Sequence, residues 1–130
     1  MWLPIMKNNF HIRIKVKTNY LKEQSAPDES RYVFSYTINI KNLGNNSAKL
    51  ISRQWIITDS NGNTQEVSGD GVVGQQPKID SGEEFIYSSG TIIKTPVGSM
   101  EGRYFMEDRN NKKFEALIAP FTLAVPGLIN

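Results

Sequence analysis

The chain has 130 residues, a formal net charge of +2 and a hydrophobic fraction of 38%. This length is typical of one domain, and a charged fraction of 22% does not indicate disorder. The absence of cysteine excludes disulfides, thiolate metal sites and cysteine nucleophiles, and a single histidine, His11, excludes a multi-histidine metal site. The charge is too small to indicate nucleic-acid binding, and no apolar run approaches the roughly 20 residues that cross a bilayer.

The first residues are apolar but differ from a secretory signal. The segment Met1–Met6 is too short for the apolar region of a signal sequence, and no basic stretch precedes it. We expect residues 1–9 to form a loosely ordered N-terminal extension, with Met6 as an alternative start. The expected location is the cytoplasm, with no membrane insertion.

Alternation of apolar and polar residues with a period of two dominates the rest of the chain. It begins with Phe10, Ile12, Ile14 and Val16, which alternate with basic residues, and this pattern predicts a strand. The predicted strands cover residues 10–17, 31–41, 49–58, 64–67, 83–88, 90–93, 99–107 and 113–118. In the third of these, Ile51, Trp55 and Ile57 are expected on one face, and Leu50, Gln54 and Ile56 on the other.

The connections carry turn residues rather than helical periodicity. Residues 18–30 read as a polar connection, the Asn61-Gly62 pair predicts a tight hairpin, and residues 68–82 form a glycine-containing excursion. Seven or eight strands without a periodic helix predict an all-β, antiparallel sandwich over residues 10–125, with a C-terminal tail at 126–130. The expected core residues are large and mostly aromatic: Phe34, Tyr36, Trp55, Ile57, Phe85, Tyr104 and Phe114.

A glycine motif lies in the excursion and matches the dinucleotide-binding fingerprint by its letters. Its residues are Gly69, Asp70, Gly71, Val72, Val73 and Gly74. The fingerprint requires a strand before it and a helix after it, whereas Pro77 follows here without an apolar helical pattern, so a Rossmann site is excluded. Two interpretations stay open. The glycines provide positive φ in a tight connection, or the backbone amides form an anion site assisted by Arg53, Lys78 or Arg103.

Other polar residues have a structural and a functional interpretation each. Arg13, Lys15 and Lys17 form a basic stripe, which is a solvated sheet face or a site for an acidic partner. Arg53 shares its parity with Trp55 and Asp59, so it is either in a structural ion pair or a ligand anchor beside the glycine motif. His11 is interpreted as solvated. The acidic pairs at 28–29, 83–84 and 107–108 are interpreted as surface carboxylates, with weak binding of a hard cation at the loop pair 28–29 as the alternative. No metal site or cofactor is predicted, and the lack of a nucleophile–base pair predicts no catalytic residue.

A series of motifs resembles the bacterial ApaG family, also called CorD. They include the segments at 52–59, 69–77, 89–90, 95–96, 100–102, 104–106 and 118–121, and the resemblance covers about residues 10–125. Two positions depart from the family pattern. Gln54 stands where a histidine is expected, and Arg103 stands where a small residue is common.

The resemblance implies a fibronectin type III-like or immunoglobulin-like sandwich without an established catalytic activity. It also implies an association with cobalt resistance and magnesium efflux, and, from related domains, a role in protein interaction. The predicted function is therefore a non-catalytic module that binds an unidentified protein and has an indirect link to cation physiology. The alternative is a binder of phosphate, pyrophosphate or a nucleotide at residues 69–74.

Overall fold

The computed structural model describes residues 2–5 and 11–128, and within them it is almost entirely β-structure. The strands are β1 (Leu3–Ile5), β2 (Ile12–Tyr20), β3 (Tyr32–Asn42), β4 (Ala48–Asp59), β5 (Thr64–Asp70), β6 (Lys78–Ile79), β7 (Glu84–Ile93), β8 (Val97–Asp108) and β9 (Lys113–Ala124). Two single turns of 3₁₀-helix, Lys22–Gln24 and Pro27–Glu29, lie between β2 and β3. No helix among the described residues is long and apolar enough to cross a membrane.

The strands form two antiparallel sheets packed as a sandwich. One sheet has the order β1-β2-β3-β7, and the other has the order β5-β4-β8-β9, with β6 continuing the β5 edge along β4. The predicted fold class, a fibronectin type III-like or immunoglobulin-like sandwich, is therefore confirmed. The expected beginning of the first long strand at Phe10 lies outside the described residues.

Aromatic rings from both sheets meet in the core. The Trp55 ring lies 5.5 Å from that of Tyr36 in the opposite sheet, and 6.2 Å and 6.0 Å from those of Tyr104 and Phe121 in its own sheet. These ring contacts add to the burial of apolar area, and the contacts of Tyr36 with Trp55 and Phe121 join the two sheets without covalent links. The other predicted core residues are buried, or partly buried against the core in the case of Phe85 and Phe114.

A β-bulge corrects the predicted facing of β4. The pairing of β4 with β8 shifts between Leu50 and Ser52, so Ile51 is the extra residue. Leu50, which simple alternation placed on the face opposite Trp55, is therefore fully buried, while Ile51 is half-buried. Period-two reasoning fails at this point because a bulge reverses the parity of every residue before it.

Several strands are longer than the sequence predicts. β2 continues to Tyr20, β5 includes Gly69 and Asp70, and β7 runs without interruption through Gly90. β9 continues to Ala124 across a register shift that accommodates Pro120. In each case pairing with a neighbouring strand overrides the local preference of a polar, glycine or proline residue.

The N-terminal residues also differ from the expectation of a loosely ordered extension. Leu3–Ile5 pairs with Ile14–Val16 as strand β1, which covers the outer edge of β2. The unpaired backbone groups of an edge strand favour such an addition. Residues 1 and 6–9 of the expected extension, and residues 129–130 of the expected tail, lie outside the described residues.

Candidate functional site

The glycine motif lies at the end of β5 and turns the chain toward β6. Val72 and Gln75 exchange two backbone hydrogen bonds, of 2.8 and 2.9 Å, across a two-residue turn. The central residues Val73 and Gly74 have φ values of 44° and 78°, which define a type I′ turn. Strand β6 follows instead of the helix that the dinucleotide-binding fingerprint requires.

Each glycine of the motif has a structural reason. Gly71 has a φ of 59°, and a Cβ atom there would overlap the carbonyl group of Gln75. Gly74 needs only its positive φ, because the space around it is open. A Cβ atom at Gly69 would lie 2.8 Å from the Nη1 atom of Arg53. The pattern of three glycines therefore follows from one tight turn and from the half-buried side chain of Arg53.

Most loop amides between β5 and Gln75 already have acceptors. Gly71 donates to the carbonyl of Ile51 over 2.8 Å, and Val72 and Gln75 donate to each other. The amides of Val73 and Gly74 donate to no acceptor in the part of the chain that the structure describes. An anion site at residues 69–74 stays a prediction, and these two amides at the exposed tip of the turn are the donors available to it.

The basic residues predicted to assist the loop take different positions. The Nη1 atom of Arg53 donates to the carbonyls of Asp70 and Gly71 over 3.1 and 2.9 Å, so Arg53 lies directly beside the loop. Lys78 is exposed on β6, and its ammonium group lies 3.9 Å from Asp80. Arg103 is on the outer face of the same sheet and is paired with Glu115. Because alternate residues of a strand face opposite sides, Arg103 does not share the inner face with Arg53.

Arg53 is half-buried without a carboxylate partner among residues 2–5 and 11–128. The structural ion pair with Asp59 that the parity allowed is not formed. Asp59 instead accepts the backbone amides of Asn61 and Asn63 and stabilises the turn after β4. Backbone carbonyls thus position the guanidinium group, and its charge is not neutralised by an acidic neighbour.

Three buried tyrosines lie near Arg53 inside the sandwich, and one of them, Tyr104, is its cross-strand partner. The hydroxyls of Tyr87 and Tyr104 are 2.5 Å apart and join the two sheets, and Ser89 on β7 is the cross-strand partner of Tyr36 on β3. Burial raises the pKa of all three tyrosines above the usual 10.0, whereas the positive charge of Arg53 acts to lower it at each. We call Arg53, Tyr36, Tyr87, Ser89 and Tyr104 the arginine–tyrosine cluster.

The cluster lies behind a gap between two edge strands, which we call the β5–β7 opening. β5 and β7 are the outermost strands of their sheets on the same side of the sandwich. The side-chain amide of Gln65 donates to the carbonyl of Ile92 over 3.2 Å and joins the two strands near one end of the gap. The inner face of β5 beyond that point consists of Val67 and Gly69, and the missing side chain of Gly69 leaves the guanidinium group at the rim.

The basic stripe is only partly available for an acidic partner. Arg13 lies 3.9 Å from Glu84, which also accepts a hydrogen bond from Asn39. Lys15 and Lys17 follow along β2, half-buried and exposed respectively. His11 is exposed, and its carbonyl accepts the amide of Leu43. Within residues 2–5 and 11–128, no three acidic or histidine side chains come together in a way that holds a metal ion.

The two departures from the family pattern occupy one row of the outer sheet face. Gln54 on β4 is the cross-strand partner of Arg103 on β8, and Arg103 in turn is opposite Leu117 on β9. Arg103 also donates to Glu115 over 2.7 Å. Because directly opposed side chains contact each other, the two unusual residues form one local surface.

Sequence reasoning located Arg53 but missed the tyrosines around it. Parity along β4 placed Arg53 beside Trp55, and this is a signal within one strand. The tyrosines come from β3, β7 and β8, and nothing in the sequence specifies which strands of opposite sheets face each other. The class of protein that these features define is a small β-sandwich with a half-buried arginine beside the edge strand β5 and three buried tyrosines near it.

The chain belongs to the ApaG family. Residues 22–108 match the family model described as ApaG domain. A Protein ApaG of Vibrio vulnificus is 55% identical over 119 residues, covering 92% of this chain and 94% of that protein. A Protein ApaG of Pseudomonas putida is 54% identical over 121 residues, covering 93% and 96%.

Solved structures agree with this membership. A crystal structure described as the putative ApaA protein from Bordetella pertussis is 47% identical, with a TM-score of 0.87, and covers 89% of this chain and 94% of that one. A β-glucuronidase of Bacteroides uniformis is only 16% identical, with a TM-score of 0.52, and 82% of this chain covers 12% of that enzyme. That likeness concerns the sandwich fold alone.

Proposed function

We propose that this chain is a non-catalytic binding module that holds a protein segment along the free edge of β7. The observation that carries the proposal is the length and character of this edge. β7 pairs with β3 over ten consecutive residues without a register shift, and no strand covers its other side among the described residues. A long, regular edge offers a row of backbone donors and acceptors to an extended partner.

The other edges of the sandwich are protected. β1 has three residues including Pro4, and β9 is interrupted by Pro120 at its register shift. β5 is shorter than β7 and carries the acidic residues Glu66 and Asp70. Proline, bulges and charges are the usual means by which edge strands resist pairing, and β7 has no proline, no bulge and one charged residue, Glu84, at its first position. The unprotected edge is therefore specific to β7.

Apolar side chains accompany this edge. Ile86 and Ile92 on β7 are 52% and 43% exposed, and Val67 across the β5–β7 opening is 37% exposed. Exposed branched side chains beside an open strand lower the free energy of the complex when a partner buries them.

The direction of the backbone groups supports strand addition. The carbonyl of Ile92 points away from β3, because it accepts the side chain of Gln65. Since backbone groups alternate along a strand, the amides and carbonyls of Gly90, Ser88 and Ile86 point toward the same free side. A partner strand would hydrogen-bond at these three residues.

The test is a selection of peptides from a random displayed library on the immobilised protein, followed by calorimetry on the selected sequences. We expect Ile86→Lys to abolish binding, because a charge at the edge opposes pairing. Phe105→Lys is the matched control, since Phe105 is 37% exposed on the outer face of the other sheet. Bound peptide should also slow hydrogen exchange at the amides of Ser88 and Gly90.

Selected peptides that bind Ile86→Lys and wild type equally, without protecting these amides, would refute the edge as the binding site. A role in cobalt resistance or magnesium efflux would then lack this structural route. In our proposal such a role is indirect and acts through the bound protein. We further propose a cytoplasmic location, which the lack of cysteines and the family resemblance support.

The alternative is a small-anion site at the type I′ turn. It is supported by the amides of Val73 and Gly74, which have no acceptor among the described residues, and by the nearby Arg53 and Lys78. Calorimetry with pyrophosphate tests it, with Lys78→Ala as the variant because Lys78 is exposed and its loss leaves the fold intact. Binding of pyrophosphate that weakens in Lys78→Ala would favour the alternative, and no heat of binding would reject it.

A further inference from the structure

We infer that the arginine–tyrosine cluster binds an acidic side chain of the protein segment that pairs with β7. This inference rests on the proposed function. The partner is thus an extended peptide segment with an aspartate or glutamate at a position facing into the sandwich. Arg53 would hold the carboxylate at the rim of the β5–β7 opening.

The geometry of strand addition brings such a side chain to the cluster. A strand paired with β7 directs alternate side chains to the inner side of its sheet. The inner side chain of Tyr87 already reaches Tyr104 in the opposite sheet, and Ser89 lies opposite Tyr36 on the same inner face. The added strand lies one position further out, so its inward side chains face the rim of β5 at Val67 and Gly69.

The charge of Arg53 is available at that rim. Its Nη1 atom is held by the carbonyls of Asp70 and Gly71. Its Nη2 and Nε atoms donate to no acceptor in the described part of the chain. Arginine usually binds carboxylates through two such donors in one plane, and no carboxylate of the described residues lies within 4 Å of this guanidinium group. Gly69 leaves the guanidinium group uncovered, because any side chain there would displace it.

The single positive charge of the cluster favours a carboxylate over a phosphate as the bound group. Among the described residues of the cluster, Arg53 is the one cation, and the hydroxyls of Tyr36 and Ser89 are neutral hydrogen-bonding groups. One positive charge balances one carboxylate, whereas a phosphate or pyrophosphate group carries more negative charge than the cluster can neutralise. The hydroxyl groups can donate to the second carboxylate oxygen.

The experiment compares selected peptides with amide analogues. We expect sequences that bind at β7 to share an aspartate or glutamate at a position facing inward. Replacing that residue with its amide should weaken binding to the wild-type protein about tenfold, as should Arg53→Gln with the acidic peptide. Combining both changes should weaken binding little further, because the two groups act as one pair. The peptide change leaves the fold of the protein untouched, so it decides the question even if Arg53→Gln is unstable.

The outcomes separate the two proposals. Peptides that require Ile86 but carry no shared acidic residue, and that bind Arg53→Gln as tightly as wild type, would overturn this inference and leave the β7 edge in place. Peptides that bind without regard to Ile86 would overturn both.

Discussion

Replacing Gly71 with alanine should destabilise the fold far more than the same change elsewhere in the glycine motif. Its φ of 59° costs a residue with a Cβ atom about 1–2 kcal/mol. The Cβ atom would also overlap the backbone carbonyl of Gln75, which cannot rotate away, and such overpacking adds about 1–3 kcal/mol. We therefore expect Gly71→Ala to lower the free energy of unfolding by about 3 kcal/mol or more.

Gly74 and Gly69 provide the matched comparisons. Gly74 has a φ of 78° with open space around it, so Gly74→Ala should cost only the conformational strain of about 1–2 kcal/mol. At Gly69 the neighbouring group is the end of the flexible Arg53 side chain, which can move. Gly69→Ala should therefore displace the guanidinium group at a small cost in stability.

Urea denaturation of the three variants measures these differences, provided that the slope with denaturant stays constant. Equal losses at Gly71 and Gly74, or a stable Gly71→Ala protein, would refute the steric argument. The series also shows why substitution of Gly71 is a poor test of anion binding. Loss of a ligand in such a variant would follow from loss of the turn.

Three further predictions concern the tyrosines and the turn. Tyr87→Phe should lower the free energy of unfolding by about 1–3 kcal/mol, because the fully buried Tyr104 hydroxyl loses its hydrogen-bond partner. Adding Tyr104→Phe should lower it little further, and additive losses in a double-mutant denaturation cycle would contradict the pairing. Burial raises the pKa of Tyr36, Tyr87 and Tyr104, so the folded state resists their ionisation. The free energy of unfolding should therefore be retained below pH 10 and should fall as the pH rises above 10. A free energy of unfolding that stays constant above pH 10 would argue against this burial. Val73 is a branched residue at a φ of 44° and is 52% exposed, so its backbone is strained and its side chain makes few contacts. Asparagine tolerates a positive φ, so Val73→Asn should raise the free energy of unfolding by about 1 kcal/mol. A loss of stability would mean that Val73 is not strained.

The glycine motif shows that the same sequence pattern can have different structural roles. The letters match a nucleotide-binding fingerprint, but the mechanism of that fingerprint depends on a following helix. Here the three glycines allow a close backbone approach, a left-handed conformation and space for Arg53. Only the space for Arg53 relates to the proposed site, and Arg53 precedes Gly69 by sixteen positions in the sequence.

The class of fold and most of the inward-facing residues could be predicted from the amino-acid pattern alone. Alternation with a period of two is a local property, because neighbouring side chains of a strand face opposite sides whatever the strand pairs with. Phe34, Tyr36, Trp55 and Tyr104 could therefore be assigned to the core, and Arg53 to the same face as Trp55. The prediction failed where pairing overrides local preference, at the bulge of Ile51 and in β9 beyond Ile118.

The contacts that those residues make with one another depend on how the strands pair and how the sheets pack. Which strands become edges, and which sheet faces which, depends on contacts between residues far apart in the chain, and alternation carries no information about them. The free edge of β7, the contact between Tyr87 and Tyr104, and the lack of a carboxylate beside Arg53 arise at this level. The candidate site therefore arises from the packing of the two sheets, although each of its residues could be assigned to a strand from the sequence.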